Sequence, residues 1–339
     1  MTTNLKILAI LPESIGGRLT TSSIIDGFRA LGHELDVVDL LFLTENGKWK
    51  MENGKLAPLS TLHSSLCSNL PLSNDYDYIL SYDFSAIKFA KKNGLSIKTI
   101  NYFSDVIEDP HSGADWAEYY DELKNPRNFV FYWDKELTAQ KKGEIPNLFY
   151  LPHFVNTDIY KNLNIKPEYD IMFAGRLDTD YRLNSIMKII KQFPKHKFAW
   201  YAIEKHLDDA CSRLANESDK KLLSKIYAGF IDNENDMAIA INKTKIVLNF
   251  NQQGISSLNY RTMQTLACSK LIINDYRTEG LELFGANYVY YKDLGDLSRK
   301  LEFFLNDEIN YKKITQGAAE IVRREQSHIA GVSKIISAL

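Results

Sequence analysis

At 339 residues the chain is too long for one ordinary core, so two domains are expected. Its 45% apolar and 25% charged residues describe a globular protein, and a formal net charge of −2 excludes a dedicated nucleic-acid binder. Three widely spaced cysteines, Cys67, Cys211 and Cys268, exclude a disulfide framework and a cysteine metal knuckle, and a reduced, cytoplasmic protein is expected. The charge is uneven: residues 1–160 hold 15 Lys+Arg against 21 Asp+Glu, a balance of −6, and the remainder 26 against 22, or +4. A basic second half suits a phosphate-bearing ligand, although two independently solvated surfaces give the same counts.

Residues 6–11 (KILAIL) predict a buried strand; the run is too short to span a bilayer and lacks a signal-peptide cleavage pattern. Gly16-Gly17 predicts a turn, then a helix from about 20 to 31 with Thr21 or Ser22 as cap, Gly32 as its stop, and a strand over 34–40. Two Asn-Gly pairs in 46–55 predict a small hairpin or mobile excursion. Strands are predicted over 76–83, 96–103, 128–133 and 147–152. Pro152 and Pro167 bracket a polar stretch, which predicts a linker over 156–168 between domains at 1–155 and 169–320. Strands resume at 169–176, 197–202, 225–231, 245–251, 270–275 and 287–292, and the chain from 311 onward is helical. This alternation predicts the α/β class, with two doubly wound, Rossmann-like domains of mostly parallel strands and a C-terminal helical tail at 321–339.

Doubly wound sheets hold ligands at the carboxyl ends of their strands, and that rule selects the candidate residues. Arg176 follows a strand and Gly175, suiting a diphosphate, with pairing to Asp178 or Asp180 as the alternative; Arg182 opens the next helix and can share the task. Arg261 sits in the first turn of a helix, where a cation opposes the helix dipole unless an anion offsets it. Ser257 and Asn259 suit a cap or a phosphate contact, capping being favoured. Gly16 and Gly17 allow close backbone approach, but the G-x-G-x-x-G spacing of a dinucleotide fold is absent. Asp105, after a strand, suits orienting or deprotonating a ligand hydroxyl, and His111 is a second general-base candidate. No metal motif is visible: His153 stands alone, and His111 has only Asp105 and Asp109 near it. The aromatics of 128–133 and 287–291 read as strand packing, and Lys141-Lys142 and Lys220-Lys221 as solvated helix ends.

Several segments, in order, resemble the glycosyltransferase-B fold and within it the spore-maturation CgeB-type glycosyltransferases, relatives of the retaining group 1 family. They are NYFSDVIEDPHSG, FYWDKELTAQKKGEIPNLFYLPHFVNTDIY, IMFAGRLDTDYR and the block over 259–297. The likeness covers roughly 100–325. It implies a nucleotide diphosphate sugar donor on the C-terminal domain, an acceptor on the N-terminal domain, and a cleft closing between them with Gly16-Gly17 at its lip. It also implies final helices that cross back to the N-terminal domain, and no obligatory metal or other cofactor. A ribose contact falls on Gln264, where the family has Glu; Ser269 stands where it has Gly, and the signature's earlier Glu falls near Ser257.

The expected activity is sugar transfer to a glycan, lipid-linked saccharide, protein or other surface polymer, probed against two alternatives. One is a catalytically silent nucleotide-sugar-binding or assembly protein, kept alive by Gln264 and Ser269. The other is a nucleotide-sugar epimerase. Nucleic acid is not an expected partner, no transmembrane segment is expected, and contact with a membrane surface is left open.

Overall fold

The computed structural model describes residues 4–12, 15–39, 75–104, 119–251 and 254–339. The chain divides into two compact units, Met1–Pro152 with His328–Leu339, and His153–Ser327. Among the described residues no helix is long and apolar enough to cross a membrane.

The first unit holds a six-stranded sheet in the order β2-β1-β3-β4-β5-β6, made of β1 (Lys6–Leu11), β2 (Glu34–Asp39), β3 (Tyr78–Tyr82), β4 (Lys98–Phe103), β5 (Asn128–Tyr132) and β6 (Leu148–Tyr150). Every pairing is parallel. The central strands are covered on both faces and read as continuous apolar runs, with Ile7 to Ile10 and Ile79 to Leu80 at zero exposure, whereas edge strand β2, ELDVVD, has no described residue buried. Helices α1 (Ile15–Ala30), α2 (Ser85–Lys92) and α3 (Lys135–Lys141) connect them. Asp134 caps α3 by accepting from the Leu137 amide at 3.0 Å.

Helix α1 begins five residues before the sequence predicts, so Gly16 and Gly17 are its first turn and not a loop. Thr21 is no cap either, because its hydroxyl donates to the Gly17 carbonyl one turn back at 2.8 Å. Burial decides this: Thr20, Thr21 and Ser23 lie against the core, and tertiary packing overrides the weak helix propensity of the Gly16-Gly17 and Thr20-Thr21 pairs.

Helix α12 (His328–Ala338), the C-terminal element of the first unit, packs on α1 through buried Val332 and Ile335. Gly27 makes the close approach possible: a Cβ there would lie 2.5 Å from Val332 Cγ2 and 2.6 Å from the His328 carbonyl oxygen. Gly27→Ala is thus expected to lower stability by about 1–3 kcal/mol and to make the last twelve residues sensitive to limited proteolysis. An unchanged urea midpoint and digestion pattern would refute this packing.

The second unit repeats the plan with the order β12-β11-β10-β7-β8-β9: β7 (Tyr169–Ala174), β8 (Phe198–Tyr201), β9 (Tyr227–Gly229), β10 (Thr244–Leu248), β11 (Leu271–Asp275) and β12 (Tyr290–Tyr291). Its helices are α4 (Asp180–Gln192), α5 (Glu204–Ser212), α6 (Glu217–Ile226), α7 (Glu234–Asn242), α8 (Tyr260–Ala267), α9 (Thr278–Phe284), α10 (Leu294–Asn306) and α11 (Glu308–Glu325). Alternate strand residues supply two cores. Ile171, Phe173, Ile246 and Leu248 pack under α4, α6 and α10, while Met172, Val247 and Ile272 pack under α7, α8 and α11.

Residues 156–168, expected as a linker, are packed into the second unit. Val155 and Tyr160 are buried, the Asn242 side chain accepts from the Leu163 amide at 2.9 Å, and it donates to the Lys161 carbonyl at 3.0 Å. Val155 also bridges to Ser327, so the entry and exit of this unit lie side by side.

Candidate functional site

In the second sheet the strand order turns back at β7, with β8 and β9 on one side and β10 to β12 on the other. The segment after β7 leads into α4 on one face, and the segment after β10 leads into α8 on the opposite face. Such a switch point leaves a crevice outside the carboxyl ends of the two strands, where an open α/β sheet holds its ligand. The sequence-predicted residues of this half all fall on the two segments and helices that flank it.

On the β7 side, Gly175 adopts φ +152°, a conformation that disfavours any side chain, and the chain turns there. Trp200 Nε1 donates to the Gly175 carbonyl at 2.9 Å and fixes the turn from below. Arg176, half exposed, faces Asp178 with Nε to Oδ2 at 3.3 Å, the surface pairing weighed above. Arg182 is drawn inward: Nη1 donates to the Arg176 carbonyl at 3.2 Å and to Asp178 Oδ1 at 3.4 Å, and Nη2 to the Phe250 carbonyl at the end of β10. Burial lowers its pKa, opposed by Asp178. Arg182 thus ties both flanks of the crevice together, and Arg176 is the more accessible cation.

On the β10 side a set of uncharged polar side chains lies beneath the start of α8. Asn249 Nδ2 donates to Asn274 Oδ1 at 2.7 Å and to Asn259 Oδ1 at 3.0 Å, and Asn259 Nδ2 returns a bond to Asn249 Oδ1 at 2.8 Å. Asn259 caps α8 by accepting from the Thr262 amide at 3.3 Å, as expected. Ser257 is fully buried. Asn274 Nδ2 is buried without a partner among the described residues. Beside this set, Asp275 accepts from the Asn251 amide at 3.0 Å and pairs with Arg277 at 3.0 Å. Glu279 receives the Leu258 amide at 2.6 Å. The sequence reading missed Asn249, Asn274, Asp275 and Glu279; three of them sit at strand ends, which was the available signal.

Arg261 and Gln264 do meet. Arg261 Nη1 donates to Gln264 Oε1 at 2.6 Å, and Gln264 Nε2 donates to the Tyr160 hydroxyl. Gln264 is 2% exposed, so both polar ends are engaged within the unit. Among the described residues Arg261 pairs with no carboxylate, its Nε is buried without a partner, and burial lowers its pKa. Burial likewise raises that of Tyr160, with Glu234 adding to the effect.

Helix α8 closes with Ser269 at φ +55°. Ser269 N donates to the Leu266 carbonyl at 2.9 Å and Lys270 N to the Thr265 carbonyl at 3.2 Å, the paired bonds of a left-handed helix stop that glycine favours. Ser269→Gly is therefore expected to stabilise the protein by about 0.5–1 kcal/mol, relief of the left-handed strain exceeding the added unfolded-state entropy. A urea midpoint unmoved or lowered would contradict it.

Asp105 and His111 lie outside the described residues. In the first sheet the order turns back between β1 and β3, and α1 with Gly17 begins just beyond the end of β1; Ser81 Oγ donates to the Ile10 carbonyl at 2.7 Å across these strands. Among the described residues no group of three or more His, Cys, Asp or Glu could hold a metal ion.

Residues 200–336 match the sequence family described as glycosyl transferase-like. A search of curated proteins found no match. Solved structures similar along their whole length include sucrose-phosphate synthase from Thermosynechococcus elongatus, with TM-score 0.70, 10% identity and 98% and 97% of the two chains covered. HepE from Anabaena, in complex with UDP and glucose, gives 0.68 at 13% identity over 99% and 100%. An alpha-glucosyltransferase in complex with UDP-glucose and abasic-site DNA gives 0.67 at 13% identity over 98% and 100%. The chain thus has the glycosyltransferase-B fold, and its residues 200–336 match a glycosyl transferase-like family model.

Proposed function

We propose that the protein is a CgeB-type glycosyltransferase of surface-polysaccharide synthesis, acting in the cytoplasm. It moves a hexose-like unit from a nucleoside diphosphate sugar to a hydroxyl of a glycan, lipid-linked saccharide, protein or other surface polymer. The donor is held by the second unit and the acceptor by the first. The bond from the anomeric carbon to the diphosphate oxygen breaks, and one to the acceptor oxygen forms with retention. The acceptor proton passes to the departing phosphate. No obligatory metal takes part, because arginine side chains and helix amides meet the diphosphate charge.

The observation that carries this reading is the crevice at the β7–β10 switch point, flanked by Arg176 and by Arg261, which in the first turn of α8 pairs with no carboxylate among the described residues. UDP is the first nucleotide to try, since the Anabaena structure holds it. Calorimetric titration is expected to show UDP binding that persists in EDTA and weakens about 10- to 100-fold in Arg176→Ala, the loss of one charge-assisted contact. Absence of binding by UDP, GDP, ADP, CMP and dTDP alike would sink the donor assignment.

The engagement of Gln264 with Arg261 and Tyr160 favours one second reading, a nucleotide-sugar-binding member with little turnover. Gln264→Glu separates them, raising turnover in a weak enzyme and leaving a silent protein silent.

A further inference from the structure

At the opposite, amino-terminal edge of the second sheet lies a hollow that sugar transfer does not use. It has a volume of about 430 Å³ and forms where β7 and β8 begin and where α4 and α6 end. Its floor is apolar, built from Ile190, Phe193, Leu222 and Ile226, with Phe198 alongside. Lys191, Lys195, Lys197 and Lys225 stand around it, with His196, and among the described residues no carboxylate lines it.

Lys191 is answered by Asp219 at 2.7 Å and His196 by Asp170 at 3.3 Å. Lys195, Lys197 and Lys225 are exposed and, among the described residues, lie within ion-pair distance of no carboxylate. Three uncompensated ammonium groups around one apolar floor repel each other, and an anion among them removes that cost. A soluble phosphate would satisfy the lysines and leave the floor wet, and a polymeric anion would do the same. An acidic lipid satisfies both, its phosphate among the ammonium groups and its upper acyl chain on the floor, with the lysine stems bridging the two zones. The sequence leading from α4 into β8, Phe193-Pro194-Lys195-His196-Lys197-Phe198, sets a basic Lys-His-Lys block between two phenylalanines that pack on the core.

We propose that this edge of the second unit docks on an anionic membrane surface by taking the phosphate headgroup and upper acyl chain of one acidic phospholipid into the hollow. The assignment is independent of the sugar-transfer reading, since it uses the other end of the strands.

The test is co-sedimentation of the full chain with vesicles of phosphatidylcholine alone and with one-quarter phosphatidylglycerol. Binding to the mixed vesicles only is expected. Lys195→Gln, Lys197→Gln and Lys225→Gln together should weaken it roughly fivefold per lysine, about a hundredfold in all, while thermal unfolding stays as in the parent. Soluble dihexanoyl phosphatidylglycerol should release the bound protein, and inorganic phosphate at equal ionic strength should not. Equal partition of parent and triple variant, or no binding to either vesicle, would overturn the proposal. Release by inorganic phosphate as effective as by the short-chain lipid would overturn the lipid assignment, showing a site that reads phosphate alone.

Discussion

Gln264→Leu is expected to lower the free energy of unfolding by about 2–3 kcal/mol, although the substitution is apolar and nearly conserves volume at a buried site. Gln264 Oε1 is the acceptor for Arg261 Nη1, and its amide is the donor to the Tyr160 hydroxyl. Leucine leaves a guanidinium with its Nε already unpartnered and strands a phenol that is 1% exposed. Gln264→Glu behaves differently. The acceptor becomes an anion facing Arg261, and the Tyr160 hydroxyl turns from accepting to donating, so stability should stay within about 1 kcal/mol of the parent. A cycle with Arg261→Met isolates the pair: removing the charge together with its acceptor should recover part of the loss in Gln264→Leu. Urea denaturation of the four proteins decides it. Gln264→Leu as stable as the parent, or no recovery in the double variant, would show that the bridge contributes nothing.

That bridge also shows what a sequence reveals and what it hides. Most strands were legible as short apolar runs between turn signals, the signature of parallel strands covered on both faces; β2, ELDVVD at the sheet edge with no described residue buried, was legible instead from the helix stop at Gly32 before it. Gly175-Arg176 and Asn259 were legible for a related reason: strand ends and helix caps are local features, and a local pattern places them. The partners were not. Gln264 meets Tyr160 across 104 residues, and Arg182 meets the Phe250 carbonyl across 68. Nothing within a helical turn of Arg182 tells that its guanidinium turns inward. The same non-locality explains the segment over 156–168. Its prolines and polar residues look like a linker, but Asn242, from a helix almost eighty residues on, holds its backbone. The start of α1 failed for the opposite reason, because a weak local propensity was outweighed by the buried face it presents.

Acidification should cost the protein about 3 kcal/mol of stability between pH 7 and pH 4.5, with His153 as the principal cause. This histidine, the first residue of the second unit, is 3% exposed and lies 5.9 Å from the Tyr260 ring. Burial pushes its pKa from 6.5 down to about 3. The folded protein therefore keeps the ring neutral while the unfolded chain accepts a proton as soon as the pH falls below 6.5. The stabilisation is complete above that value and is lost progressively as the pH falls toward 3. His33, whose Nδ1 accepts from the Leu5 amide at 3.1 Å, is shifted in the same direction by burial and adds to the slope. Carboxylates held below their ordinary range, among them Asp170, Asp219 and Asp296, work in a lower window. These aspartates stay ionised in both states until the pH nears 3.8, and Glu144 and Glu308, held below the ordinary glutamate value of 4.5, add only at the foot of the interval, so most of the slope from 6.5 to 4.5 belongs to the histidines. Urea titrations at pH 7, 5.5 and 4.5 measure the slope, and His153→Gln, which cannot take up the proton, should remove most of it whatever its stability at pH 7. A flat profile in the parent, or an unchanged slope in His153→Gln, would mean that this ring reaches water in the folded protein.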